Sequence, residues 1–322
     1  MKMAINAMPM DKKGIFFTFA AIVLAIIIIL SYSIHTEYRL RDKMGVIEVR
    51  VGTMSHFITD LEDDIGSVIF TAGFRSLLSL EDYIMKYDQF FNELGAPSLS
   101  TAFSDAFLKG TINSPSGPAD RMSLMENNTF INWTTKIKEQ AKKTDISVNF
   151  TINSVTISQT EPWKVDVTVN LDVSIKDKKN TASWVIDNKD YTKKINITGF
   201  VDPLYLVNTN GVANNTIRET PYSSWPAGLS AHLTNAYYRE HTDAPNYLMR
   251  FENNLVSNSK GIESLVTQKL KDKGLPVSSK SAVDYIYFGS TNPPSCRVVD
   301  IADTDFRLDD PTHTGFYGTS CV

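Results

Sequence analysis

Five histidines (His35, His56, His232, His241, His313), two cysteines (Cys296, Cys321) and an acidic run (Asp300, Asp303, Asp305, Asp309, Asp310) are the side chains whose type could do chemistry. Their spacing gives little of it. No Gly-rich phosphate loop, Gly-x-Ser-x-Gly elbow or His-Glu-x-x-His occurs in the chain. His35 and His56 read as solvent-facing. His232 and His241 are nine residues apart, which on one continuous helix would turn them to opposite sides. The sequence therefore gives no catalytic residue, metal ligand or cofactor site, and reads as non-enzymatic. The acidic run could offer calcium several oxygens, but it lacks the sixth-position Gly and terminal Glu of an EF-hand loop, so a solvated acidic turn is expected.

The two cysteines sit in the last thirty residues and are expected to pair, closing a loop of about 25 residues. Five Asn-x-Ser/Thr triplets, at Asn127, Asn132, Asn149, Asn196 and Asn214, are candidate glycosylation sites. Together with the cysteines they favour an extracytoplasmic body. A net charge of -4 gives no reason to expect a nucleic-acid partner, and 42% hydrophobic with 21% charged residues describes an ordinary folded chain.

The element that organises the rest is a long N-terminal helix with two jobs. Residues 15–34 carry no charge, Gly or Pro. At ~1.5 Å per residue they span about 30 Å, the hydrocarbon thickness of a bilayer. Beyond them an apolar stripe continues through Leu40, Met44, Ile47, Val51, Met54, Ile58, Leu61, Ile65, Val68 and Ala72, in alternating steps of four and three, which is a heptad seam. The seam either joins two chains or carries this chain's own folded part. Gly45, Gly52, Gly66 and Gly73 recur on the same seven-residue period. Each costs about 1 kcal/mol relative to Ala in a helix interior, so the strip either admits another backbone or is a weak line that the head covers. The helix is expected to run through Ile84 and as far as Phe91, with Gly95-Ala96-Pro97 as terminator.

After it, Ser98 caps a short helix over 99–108 closed by Gly110, and a third helix is expected over 120–143. Period-two alternation then sets in at Ile146, Val148, Phe150 and Ile152, and again from Val165 to Ile175, with further strands over 183–186 and 191–197. One wet and one buried face make this an antiparallel meander. In the last hundred residues, 231–238, 245–255 and 261–270 have helical spacing, while 282–288 and 297–301 read as strands. The late aromatics Tyr222, Trp225, Tyr237, Tyr238, Tyr247, Tyr285, Tyr287, Phe288, Phe316 and Tyr317 are expected to be mostly core. The fold class is α+β. The organisation is a basic leader over 1–14, a membrane span over 15–34, a stalk helix over 35–94, a helical connector over 95–144, a β-sheet over 145–210 and a mixed, disulfide-closed part over 211–322.

The leader ends Asp11-Lys12-Lys13-Gly14 directly against Ile15-Phe16-Phe17, and this resembles an archaeal type IV prepilin leader. The resemblance covers about 25 residues together with the layout of long helix and β-rich head. It implies cleavage between Gly14 and Ile15 and a helix packed in a filament core among copies of itself or other pilin-like subunits. The chain departs from the pattern at the fifth mature position, where the family often has Glu and this sequence has Phe19. A plain signal anchor preceded by Lys-Lys-Gly explains the same residues. Three functions follow: a pilin-like subunit or minor component, a permanently anchored adhesin or ligand-binding ectodomain, and an ectoenzyme of unknown class. In each, a short N-terminus lies inside and the body is extracellular, as a single-pass protein of the cell membrane or part of an extracellular filament.

Overall fold

The computed structural model describes residues 12–322 apart from Ala96, Ser116, Asn180, Pro226, Ala227, Ser278, Asn292 and Asp300, with the side chains of residues 12–15, Thr36, Leu40 and Asp42 left out. Most of the leader, the side chain of Ile15 at the expected cleavage point, that of Leu40 in the seam, and Asp300 of the acidic run lie outside these described residues. The chain is a mixed α/β protein divided into two compact units, Met1–Asp60 with Asp177–Ser183, and Leu61–Lys176 with Trp184–Val322.

Helix α1 (Lys12–Tyr87) is one uninterrupted element. It stops at Tyr87 because Asp88 adopts a left-handed conformation (φ 53°) and the Gln89 N–H reaches back to the Ile84 carbonyl at 3.4 Å, a Schellman-type closure. The terminator expected at Gly95-Ala96-Pro97 therefore acts too late. Asp tolerates the left-handed region better than most residues, and here it supplies the stop.

In the first unit the described apolar side chains of α1 are mostly exposed: Phe16 by 69%, Leu24 by 62% and Ile29 by 66%. The same unit holds the β-hairpin tip, where Asp177 accepts from the Arg50 guanidinium at 2.9 Å. In the second unit the seam is core. Leu61, Ile65 and Ala72 are buried, and the burial continues through Ile69, Leu77, Leu80, Tyr83 and Ile84.

That core face of α1 lies under a three-stranded antiparallel sheet in the order β3 (Ile146–Glu161), β4 (Lys164–Asp177), β5 (Ser183–Asn196). Alternation on β4 decides which side faces in: Val165, Val167, Val169, Leu171, Val173 and Ile175 are all fully buried. The glycine strip is used here for sheet, not helix, packing. A Cβ on Gly73 would stand 2.9 Å from Ile195 Cδ1 and 3.1 Å from Val167 Cγ2, whereas one on Gly45 or Gly52 would meet nothing within 4 Å. Gly73→Leu is accordingly expected to destabilise the protein by about 1–3 kcal/mol through overpacking, while Gly45→Ala gains up to about 1 kcal/mol of helix propensity. Thermal unfolding of both variants checks the opposite signs.

Helix α2 (Leu99–Lys109) is capped by Ser98, whose hydroxyl accepts from the Thr101 N–H, and closed by Gly110 at φ 72°. A small ribbon of β1 (Thr111–Ile112) and β2 (Asp120–Arg121) and a single 3-10 turn (Ser123–Met125) come next. Helix α3 (Phe130–Lys143) then starts ten residues later than its apolar spacing suggests, because Thr129 is the cap and accepts from the Asn132 N–H. Asn127 at φ 59° breaks the chain just before it.

The C-terminal region is built from short pieces: α4 (Pro203–Asn208), α5 (Leu229–Asn235), β6 (Tyr238–Glu240), α6 (Tyr247–Arg250), β7 (Ile262–Ser264), α7 (Thr267–Lys271), α8 (Asp284–Phe288), β8 (Ser295–Arg297), β9 (Arg307–Asp309) and α9 (Thr312–Phe316). Two expectations are corrected. Residues 261–270 are not one helix, because β6 pairs with 262–264 in an antiparallel register that sets Arg239 opposite Glu263. Residues 282–288 are not a strand beyond the isolated bridge of Val283 to Leu265, because Asp284 turns inward to a buried arginine and the chain coils into α8. Both are tertiary pairings overriding local preference.

Cys296 and Cys321 form the disulfide, with Cα atoms 5.5 Å apart and a sequence separation of 25. Cys296 lies on β8 opposite Leu308, and Val298 bridges to Cys321. Replacing both cysteines with Ser is expected to lower stability by about 3 kcal/mol, read as a drop in the thermal midpoint that reductant reproduces in the native chain.

Candidate functional site

Two features qualify as sites, and each lies within one unit. The first is the uncovered part of α1. Its apolar run is long and hydrophobic enough to cross a membrane, with none of the qualifying window buried. Past that run Met44, Ile47 and Val51 stay 68%, 43% and 37% exposed, and Met54 is the first fully buried seam residue among those described. Ile58 and Val68 are half-buried.

The glycosylation triplets fall in the second unit. Asn127, Asn149, Asn196 and Asn214 are exposed, whereas Asn132 is half-buried in the first turn of α3. Of the late aromatics, Tyr238, Tyr247 and Tyr317 are fully buried, and Tyr222 is exposed at 42%. The acidic run is consumed locally: Lys271 pairs with Asp303 and Asp305, Asp310 accepts from Thr314, and Asp309 turns inward.

Two buried polar systems hold the centre of the second unit. Arg250, from α6, is wholly buried and donates to Asp202 Oδ2 at 2.5 Å, to Asp284 Oδ2 at 2.8 Å and to the Ile262 carbonyl. Asp202 also accepts from Tyr238 Oη at 2.7 Å and from the Leu204 N–H at 2.9 Å. Burial raises the Asp284 carboxyl despite the arginine beside it. Glu81, on α1, accepts from the Val201 N–H and from Tyr247 Oη, both at 2.9 Å, and burial pushes its carboxyl up to about 8.

The second candidate site joins three segments that the sequence keeps far apart. His241 follows β6, Glu263 is the middle residue of β7, and His313 lies on α9. Glu263 Oε2 stands 3.0 Å from His241 Nδ1 and 3.0 Å from His313 Nε2. The approach to His241 is an ion-pair contact without hydrogen-bond alignment, and its Nδ1 is buried with no hydrogen-bond partner among the described residues. His313 Nδ1 lies 2.7 Å from Asp309 Oδ2, and Asp309 Oδ1 accepts from Ser281 at 2.7 Å. Tyr317 Oη donates to Glu263 Oε1 at 2.8 Å.

Burial would push the Glu263 carboxyl up, but His241 and His313 hold it well below the carboxylate range. Burial likewise works against a charged His313, yet Asp309 and Glu263 raise it to about 10. The Arg239 guanidinium is stacked 3.8 Å from the centre of the Phe316 ring, beside the cluster. His232 is separate: it is buried against Trp225 with a ring distance of 5.2 Å, and burial lowers it to about 4.

Taken only as if on one continuous helix, the spacing of His232 and His241 sets them on opposite sides and hides this cluster. They lie on different elements, and the separations that matter, 241 to 263 to 313, follow no motif spacing. Arg239 opposite Glu263 in the β6–β7 register was the one local signal, and it becomes visible only once both strands are recognised. Comparison with family models, with curated proteins and with solved structures returned no match to this chain.

Proposed function

We propose that this chain is a non-enzymatic, membrane-anchored surface protein of pilin-like type, a subunit or minor component of a type IV pilus-like filament, processed between Gly14 and Ile15. The observation that carries the reading is an apolar stripe left uncovered past the length a bilayer needs. Residues 15–34 suffice for a hydrocarbon core of about 30 Å, yet Met44, Ile47 and Val51 remain exposed, beside Gly45 and Gly52 with open space around them. A lone lipid anchor has no use for such a stripe. A helix that packs among copies of itself does, and glycine lets neighbouring backbones approach. The extracellular placement of the second unit is supported by the triplets and the disulfide.

N-terminal sequencing of the chain recovered from surface preparations tests the reading. Ile15 as first residue, loss of processing in Gly14→Leu, and filaments labelled against the second unit are the expected results. Gly52→Leu is expected to be processed normally and to lose filament assembly. An intact Met1 overturns the filament reading. It leaves the permanently anchored adhesin or ligand-binding ectodomain, which Phe19 at the fifth mature position favours.

A further inference from the structure

We propose that His241, Glu263 and His313 bind one first-row divalent transition ion, for which zinc is the chemical match. The three donor atoms lie within 4.8 Å of one another, with Glu263 Oε2 3.0 Å from each imidazole nitrogen. Ligand atoms on a tetrahedral zinc, at bonds of about 2.0–2.2 Å, are separated by about 3.3 Å. The two carboxylate–imidazole separations are within a few tenths of an ångström of that value, and the two imidazoles close on the ion from within 4.8 Å of each other. Two imidazoles and a carboxylate suit zinc and its first-row neighbours, whereas calcium and magnesium ask for oxygen throughout.

An ordinary buried ion cluster would need only opposite charges in contact. Here the atoms behind each ligand are also committed. Asp309 takes His313 Nδ1 and is itself held by Ser281, so Nε2, now hydrogen-bonded to Glu263 Oε2, is the nitrogen that an ion would take in exchange for its proton. Tyr317 takes Glu263 Oε1, which leaves Oε2 forward. His241 contributes a buried Nδ1 that has no hydrogen-bond partner among the described residues. A carboxylate behind a ligating imidazole is the usual support of a metal-bound histidine, fixing its tautomer and orientation. Tyr285 Oη, 3.3 Å from His313 Nε2, supplies an oxygen for a fourth position. The ion would tie together the end of β6, the middle of β7 and α9, and this holds whether or not the chain assembles into filaments.

The test uses the full chain in detergent, stripped with a chelator, dialysed and titrated with zinc chloride. Metal content, thermal midpoint and the visible spectrum with cobalt(II) are read together. A single zinc per chain, a rise in midpoint on adding zinc and the d–d bands of a tetrahedral cobalt site are expected. His241→Ala leaves the Asp309–His313–Glu263 contacts in place, so it keeps its circular dichroism but loses the zinc and the cobalt bands. Asp309→Asn, a positioning change, weakens zinc about 10–100-fold, and His56→Ala changes nothing. Wild-type chain that takes up no more zinc than folded His241→Ala overturns the proposal, as does His241→Ala that keeps stoichiometric zinc.

Discussion

Arg250→Met is expected to lower stability at neutral pH by about 3–5 kcal/mol or more, and acid is expected to give part of that back. The guanidinium is wholly buried between two carboxylates and a backbone carbonyl. Methionine fills much of its volume, so the loss is electrostatic and not one of packing. Asp202 keeps two donors, Tyr238 Oη and the Leu204 N–H, but Asp284 faces Asp202 across a buried space with no cation. Without the arginine, which holds it down, the folded-state Asp284 carboxyl sits further above its unfolded value. A group raised in this way costs stability at high pH, and the cost disappears as pH falls through its folded pKa. Denaturant unfolding of variant and wild type at pH 7.5 and pH 5 reads the difference, which should shrink in acid. Asp284→Asn added to Arg250→Met should recover part of the loss at pH 7.5. An equal deficit at both pH values would sink this account.

Glu81→Gln works on the same physics with the sign exposed. The unfolded glutamate titrates near 4.5, and the folded one is pushed up to about 8 by burial. Below the lower value both states are protonated and the group is silent. Between the two, the unfolded chain gives up a proton that the folded chain retains, so stability falls as pH rises. The accumulated penalty by pH 8 is on the order of 4 kcal/mol. Glutamine never ionises, and its amide can still accept from the Val201 N–H and Tyr247 Oη at the same oxygen. The variant should therefore gain on wild type steadily from pH 5 to pH 8, whatever fixed offset its amide brings. Parallel curves for the two proteins across that window would show that Glu81 is ionised in the folded chain.

What was legible in the sequence is what repeats. The residues 15–34 run, the heptad seam and the alternation of β4 each state one preference many times over; the first appears as uncovered helix, while the later half of the seam and β4 appear with a buried face. The cap at Ser98 and the stop at Gly110 were legible because their chemistry is local. The region from Tyr238 to Phe316 was not. Its elements are three to five residues long, too short for a period to declare itself, and they are fixed by partners far away in the chain. Asp284 is helical because of Arg250, and 262–264 is a strand because of 238–240. His241, Glu263 and His313 belong to this class, since nothing near any one of them announces the other two. Asp88, which ends α1, was hidden for the opposite reason: a single residue in an unusual conformation leaves no pattern.

The face of α1 that forms the core of the second unit is made at the ribosome long before what covers it. Glu62 waits for Lys189, 127 residues later, and Glu81 waits for Tyr247, 166 residues later. At a synthesis rate of about 5–20 residues per second, that delay is on the order of 10–30 s. During it, Leu61, Ile65, Leu77 and Leu80 have no partner strand to shield them. A nascent chain of this kind needs either a holding chaperone or the membrane surface itself as a temporary cover, and truncation after residue 145, ahead of β3, should produce aggregation-prone fragments, not a smaller folded protein.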